Sequence, residues 1–67
     1  MTLDDIRVRI ELIRQNAARG DEEWATVQEQ ILHQDVLRTI EKGEGGAEHA
    51  SLALSSLNVR FDRWPDR

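Results

Sequence analysis

Three glycines within four residues, in the segment GEGG at 43–46, divide this chain. Glycine costs about 1 kcal/mol relative to alanine inside a helix, so a helix does not continue through this segment cheaply. Gly20 follows an earlier run of helically spaced apolar residues and can adopt the left-handed conformation that ends a helix. The two breaks predict three helices, at about residues 3–19, 21–42 and 47–57, and a tail at 58–67.

The apolar residues of each segment follow helical spacing. The first helix has one stripe, and Thr2 can cap its start: Leu3, Ile6, Ile10, Ile13 and Ala17. The second helix, with Asp21 as its expected cap, has two stripes roughly 120° apart, which predicts neighbours on two sides: Trp24, Val27 and Ile31, then Ala25, Leu32, Val36 and Ile40. The third helix has one predicted core face, on which the alanines permit close packing: Ala47, Ala50, Ala53, Leu54 and Leu57.

The last ten residues, NVRFDRWPDR, hold two of the three aromatic side chains. Each ring can bury on the order of 150–250 Å², a large share of so small a core. We therefore predict that the tail packs back, with Phe61, Arg63 and Trp64 as anchors. Arg63 is expected over the ring of Trp24 or Trp64, or paired with an acid of the second helix. The alternative is a protruding peptide that docks into another protein.

These features define the predicted fold class: a single all-α domain, residues 1–67, with three helices and an extended C-terminal tail packed on the core. One order of motifs runs along the chain: Gly20, Asp21 and Glu22, then Leu32, Val36, Leu37, Arg38, Ile40 and Gly43, and finally Phe61, Arg63 and Trp64. This order resembles a group of small proteins, with no established activity, from actinobacterial phages and chromosomes. That resemblance implies a compact helical domain of phage or actinobacterial origin. It does not extend to WATVQEQ at 24–30 or to the final PDR.

Self-association is expected because the chain is short and has no cysteine. A domain of this size is marginally stable and usually needs disulfides, a metal or a second subunit. Val8 and Leu12 lie about 160° from the main stripe of the first helix, so both cannot face the same core. We predict a homodimer through Val8 and Leu12, with Leu37 and Leu52 as further exposed candidates. Isolated exposed apolar residues on a monomer are the alternative.

Few residues suit catalysis or metal binding. Glu29 and His33 are spaced i, i+4, and two such ligands do not complete a metal site. We interpret them as an exposed helix pair, His49 as a surface residue, and the acids at 21–23 as a favourable helix start. The serines have no adjacent base, and GEGG lacks the lysine of a phosphate loop. The sequence therefore predicts no enzyme, no cofactor and no metal.

Charge and hydropathy narrow the functional class. Residues 1–20 carry four arginines and three acids, whereas residues 21–42 carry six acids and two basic residues. An acidic middle without a basic stripe makes nucleic acid an improbable partner. No apolar run spans a membrane and no signal peptide precedes the first helix, so we expect a cytoplasmic protein. The predicted function is a non-catalytic interaction protein, a phage accessory factor that binds a host or phage protein. The alternative is a small DNA-binding regulator.

Overall fold

Three α-helices follow one another in the computed structural model, which describes residues 1–63. They are α1 at Leu3–Ala18, α2 at Glu22–Glu41 and α3 at Ala47–Leu54, and one turn of 3₁₀ helix, Ser55–Asn58, continues α3. The tail is extended from Val59, and Val59 and Phe61 pack against the core. The predicted all-α fold with three helices and a returning tail is thereby confirmed. The expected anchor Trp64 lies outside the described residues.

A capping box begins α1. The Asp5 backbone N–H donates to Thr2 Oγ1 at 3.1 Å, and the Thr2 N–H donates to Asp5 Oδ2 at 2.9 Å. These hydrogen bonds hold the pKa of Asp5 below its ordinary value. The predicted role of Thr2 as the cap of α1 is correct.

Left-handed glycines end both long helices. Gly20 has φ 88° and Gly43 has φ 79°. The N–H of each glycine, and that of the residue after it, donates to a carbonyl of the last helical turn, which is the Schellman arrangement. Asp21 is the N-cap residue of α2, as predicted, but its side chain makes no capping hydrogen bond. Its backbone N–H belongs to the first of these Schellman motifs.

The core lies between the three helices. α3 packs against both α1 and α2, and all three contribute buried side chains: Ile6, Ile10, Ile13, Ala25, Leu32, Val36 and Ala53. The predicted core stripe of α1 and the second stripe of α2 are therefore correct, with Leu3, Ala17 and Ile40 partly buried at their edges.

The other apolar stripe of α2 is exposed. Trp24, Val27 and Ile31 are each more than a third exposed. α2 does have neighbours on two sides, α1 and α3, as predicted. Both of them lie against the second stripe, so the first stripe is left exposed. Within the described residues no helix covers the first stripe.

α3 turns a different face to the core than the sequence predicts. Leu52 packs against the core, whereas Leu54 and Leu57 are exposed. Two hydrogen-bonded side chains lie on the core-facing side together with Ala53. His49 Nε2 donates to the Met1 carbonyl at 3.1 Å, and Ser56 is fully buried. His49 is half-buried rather than a free surface residue, so that interpretation is also corrected.

Candidate functional site

A buried polar network joins α2 to the 3₁₀ turn and the tail. Glu29 is only 5% exposed. Its carboxylate accepts from Arg63 Nε at 3.0 Å, from Arg63 Nη2 at 3.0 Å and from Ser56 Oγ at 2.8 Å. The sequence-based interpretation of Glu29 as an exposed residue is wrong, because the bidentate arginine and the serine compensate its burial.

His33 extends this network. Its Nε2 lies 3.1 Å from the Ala53 carbonyl and 2.9 Å from Ser56 Oγ. A carbonyl only accepts, and the single Ser56 hydroxyl hydrogen is donated to Glu29, so Nε2–H must donate to both oxygens. His33 is therefore a half-buried structural donor, not the exposed partner of Glu29, and Nε2 has no lone pair for a metal. Among residues 1–63, no three His, Cys, Asp or Glu side chains are placed to hold a metal ion.

Arg63 is the centre of the tail's attachment. Besides Glu29, it donates to the carbonyls of Phe61 and Ser56 at 3.0 and 3.2 Å. Its guanidinium carbon lies 4.0 Å from the centroid of the Phe61 ring, a cation–π contact. The predicted ion pair of Arg63 with an acid of α2 is therefore correct, and the ring that its guanidinium covers is Phe61. The predicted position over Trp64 lies outside the described residues. The Asp62 N–H also donates to Glu22 at 3.2 Å.

The Glu29 network should make stability depend on pH. Burial alone raises the pKa of Glu29, but the hydrogen bonds from Arg63 and Ser56 and the charge of Arg63 outweigh it and lower the pKa below the ordinary 4.5. A carboxyl whose pKa is lower in the folded state stabilises the fold above its unfolded pKa. That stability is lost as the pH falls through the folded pKa. We therefore expect the wild type to have a larger free energy of unfolding than Glu29→Gln at pH 6. This difference should decrease as the pH falls below about 4.5.

Urea unfolding of both proteins between pH 3 and pH 7 measures this difference. The other carboxyl groups, including Asp5, are common to both proteins, so their titration cancels in the comparison. A difference in unfolding free energy that stays constant down to pH 3 would show that Glu29 does not titrate as the ion pair requires.

Two exposed apolar surfaces flank α2 on opposite sides. The first, which we call the hairpin face, is the side of the α1/α2 pair away from α3. Its apolar members include both residues predicted on the back of the first helix: Val8, Leu12, Trp24, Val27 and Ile31. Val8 is 60% exposed, and Leu12 lines a shallow cavity of about 210 Å³ with Trp24. The structure therefore brings the predicted α1 residues next to the uncovered α2 stripe.

The second surface is a cleft between α2 and α3, which we call the α2/α3 cleft. It has a volume of about 250 Å³ and an almost wholly apolar lining: His33, Val36, Leu37, Ile40, Ala50, Ala53 and Leu54. Leu37, the third predicted association residue, is 65% exposed at its edge, opposite Leu54. Ala50 and Ala53 line the floor of the cleft, and their small side chains leave its space unfilled. Ala53 is also a core residue, as predicted.

Comparison with protein families, with curated proteins and with solved structures found no match to this chain. Among residues 1–63, no helix is both long enough and apolar enough to cross a membrane. The function has to be inferred from the two apolar surfaces and from the charges around them.

Proposed function

We propose that this chain is a non-catalytic interaction protein whose α2/α3 cleft binds an amphipathic helix of another protein. The supporting observation is the cleft itself, an apolar depression with exposed leucines on both edges. A cleft of about 250 Å³ accepts one or two large apolar side chains, the anchors by which a helix binds in a groove.

The charge of the surrounding segment specifies the chemistry of the partner. Residues 21–58, which form α2, the glycine loop, α3 and the 3₁₀ turn, hold eight acidic and two basic side chains. Two of the acids, Glu29 and Asp35, are paired with arginines of the tail and of α1, which leaves six acids against two basic residues. A helix with lysine or arginine on its polar face would complement this charge and be attracted at long range. The proposed partner segment is therefore a basic amphipathic helix that inserts an apolar residue beside Leu37.

The sequence resemblance implies a phage or actinobacterial origin and no activity. On that origin we propose an accessory factor that binds a host or phage protein in the cytoplasm. α3 does not favour the DNA-binding alternative, since it has no Arg, Lys, Asn or Gln to contact base edges. Salt-sensitive binding of duplex DNA in a gel shift at low salt would revive that alternative.

Titration with an 18-residue leucine–lysine amphipathic peptide, followed by two-dimensional NMR, tests the cleft. We expect chemical-shift changes at His33, Leu37, Ala50 and Leu54, and no binding of the leucine–glutamate counterpart. Leu37→Glu is the decisive variant. It adds negative charge, so purely electrostatic binding would strengthen, whereas insertion into the cleft should weaken by about tenfold or more.

Val8→Glu is the matched control, because it adds the same charge on the hairpin face and should leave peptide binding unchanged. Shifts confined to the hairpin face, or tighter binding to Leu37→Glu, would overturn the proposed cleft. With the cleft established, affinity capture from an actinobacterial lysate by the wild type but not by Leu37→Glu would identify the natural partner.

A further inference from the structure

The hairpin face carries two parallel stripes of exposed residues. Asp5, Leu12 and Arg19 are spaced i, i+7 and i+14, so they lie within about 40° of one another along α1. Trp24, Ile31 and Arg38 have the same spacing along α2. All six residues are exposed. Because α3 packs on the other side of the α1/α2 pair, no helix among residues 1–63 covers these stripes.

The ion pair between the two helices fixes the level of each residue. Arg9 Nη1 lies 2.9 Å from Asp35 Oδ2. Because α1 and α2 are antiparallel, one turn back along α1 from Arg9 corresponds to one turn forward along α2 from Asp35. Asp5 of α1 is therefore level with Arg38 of α2. By the same rule Leu12 is level with Ile31.

The other end of the face is fixed by the turn between the helices. Arg19 follows the last residue of α1 and Glu23 is in the first turn of α2, on either side of Gly20. Each end of the hairpin face thus has one acidic and one basic residue at the same level, Asp5 with Arg38 and Glu23 with Arg19. Apolar side chains lie between the two ends.

We infer that a second copy of this chain covers the hairpin face, related by a twofold axis parallel to the helices, to form an antiparallel four-helix arrangement. Such an axis places α1 of one copy over α2 of the other at the same level. Leu12 then contacts Ile31 of the second copy. Asp5, which also accepts the Thr2 N–H, faces Arg38 of the second copy, which also contacts its own Asp35 at 3.3 Å. Arg19 faces Glu23, so the charges at both ends are complementary.

The area of the face suits a small dimer. α1 is about 24 Å long at 1.5 Å per residue, and two helices side by side are roughly 20 Å wide, so the face covers on the order of 500 Å². Two copies then bury on the order of 1,000 Å² in total, which is the lower limit for a specific interface. The Arg9–Asp35 pair, already about two-thirds buried on both sides, would lie inside it. An interface at this limit is typical of weak association, so we expect a dimer that dissociates on dilution.

This inference does not depend on binding at the α2/α3 cleft, which lies on the other side of α2. Sedimentation equilibrium of the full chain between 1 and 500 µM gives the dissociation constant. Leu12→Glu should raise it at least tenfold. Leu37→Glu, the same change at an exposed leucine of the cleft, should not alter it. A monomer at 500 µM, or a dimer that dissociates with Leu37→Glu and not with Leu12→Glu, would overturn the interface.

A charge exchange tests the direction of the twofold axis. The twofold axis creates two contacts between residue 19 of one copy and residue 23 of the other. In Arg19→Glu homodimers two glutamates face each other at both of these contacts, and in Glu23→Arg homodimers two arginines do. We expect each variant alone to dissociate about tenfold more readily. An equimolar mixture pairs opposite charges at both contacts and should regain the wild-type constant. Both side chains are exposed, so folding should persist, and circular dichroism verifies it. A mixture as weak as the separate variants would exclude this arrangement.

Discussion

Replacing Arg63 by alanine is expected to destabilise the fold by about 3–5 kcal/mol, because it leaves the buried Glu29 carboxylate without its cation. Glu29 is 5% exposed and receives two of its three hydrogen bonds from the Arg63 guanidinium. The variant also loses the contact with the Phe61 ring and two hydrogen bonds to backbone carbonyls. Urea unfolding followed by circular dichroism at pH 7 measures the change. A loss as large as the total stability of so small a domain appears there as the absence of a folded baseline and of helical signal without urea.

Arg60→Ala is the matched control for this change. Arg60 is an exposed arginine of the same tail, so its loss should alter stability by no more than about 0.5 kcal/mol. A second control shows how much of the destabilisation by Arg63→Ala comes from the unpaired charge of Glu29 and how much from lost packing. The double variant Glu29→Met with Arg63→Met removes both charges and should recover much of the loss, since a buried ion pair can be replaced by apolar residues of similar size. Equal losses for Arg60→Ala and Arg63→Ala would show that the ion pair does not hold the tail.

The sequence predicted the parts of the fold that depend on local pattern. The isoleucine stripe of α1 and the glycine breaks follow from periodicity and backbone freedom, and both are seen in the structure. The return of the tail was predicted from a global argument, the need of a short chain to bury its aromatics. Phe61 does pack on the core, although its depth of burial is only partial.

The i, i+4 spacing of Glu29 and His33 predicts that the two side chains contact each other on an exposed face of α2, and this is wrong. Their actual partners, Arg63 and Ser56, lie more than 20 residues away in the chain. One signal was available in the sequence. At 100° per residue Glu29 lies about 20° from Val36, inside the buried arc of α2. A carboxylate in that position requires a cation, and Arg63 was already a candidate partner for an acid of the second helix.

The face of α3 could not be predicted in the same way. The segment from Ala47 to Leu54 has apolar residues on most sides of a helix only eight residues long, so periodicity does not select one face. The choice is made by side-chain hydrogen bonds that the pattern does not contain, those of His49 to Met1 and of Ser56 to Glu29. The exposure of Leu54, and with it the α2/α3 cleft, follows from that rotation.

Ending the chain after Asn58 should unfold the domain. The truncation removes the apolar burial of Val59 and Phe61 together with Arg63, and it leaves Glu29 buried and unpaired. Loss of Arg63 alone is expected to cost about 3–5 kcal/mol, and a core of this size supplies a total of only about 3–5 kcal/mol. We therefore expect the truncated chain to lack a cooperative thermal transition by circular dichroism at 25 °C and above.

Leu57→Ala, one residue before the new terminus, is the control for the truncation. Leu57 is more than half exposed, so its replacement should leave the thermal midpoint nearly unchanged. Addition of Glu29→Met to the truncated chain should restore part of its helicity, since it removes the unpaired charge. If the truncated chain unfolds at the wild-type midpoint, the tail contributes no stability. Phe61 and Arg63 would then be free to dock into a partner, the alternative role that the sequence left open for this segment.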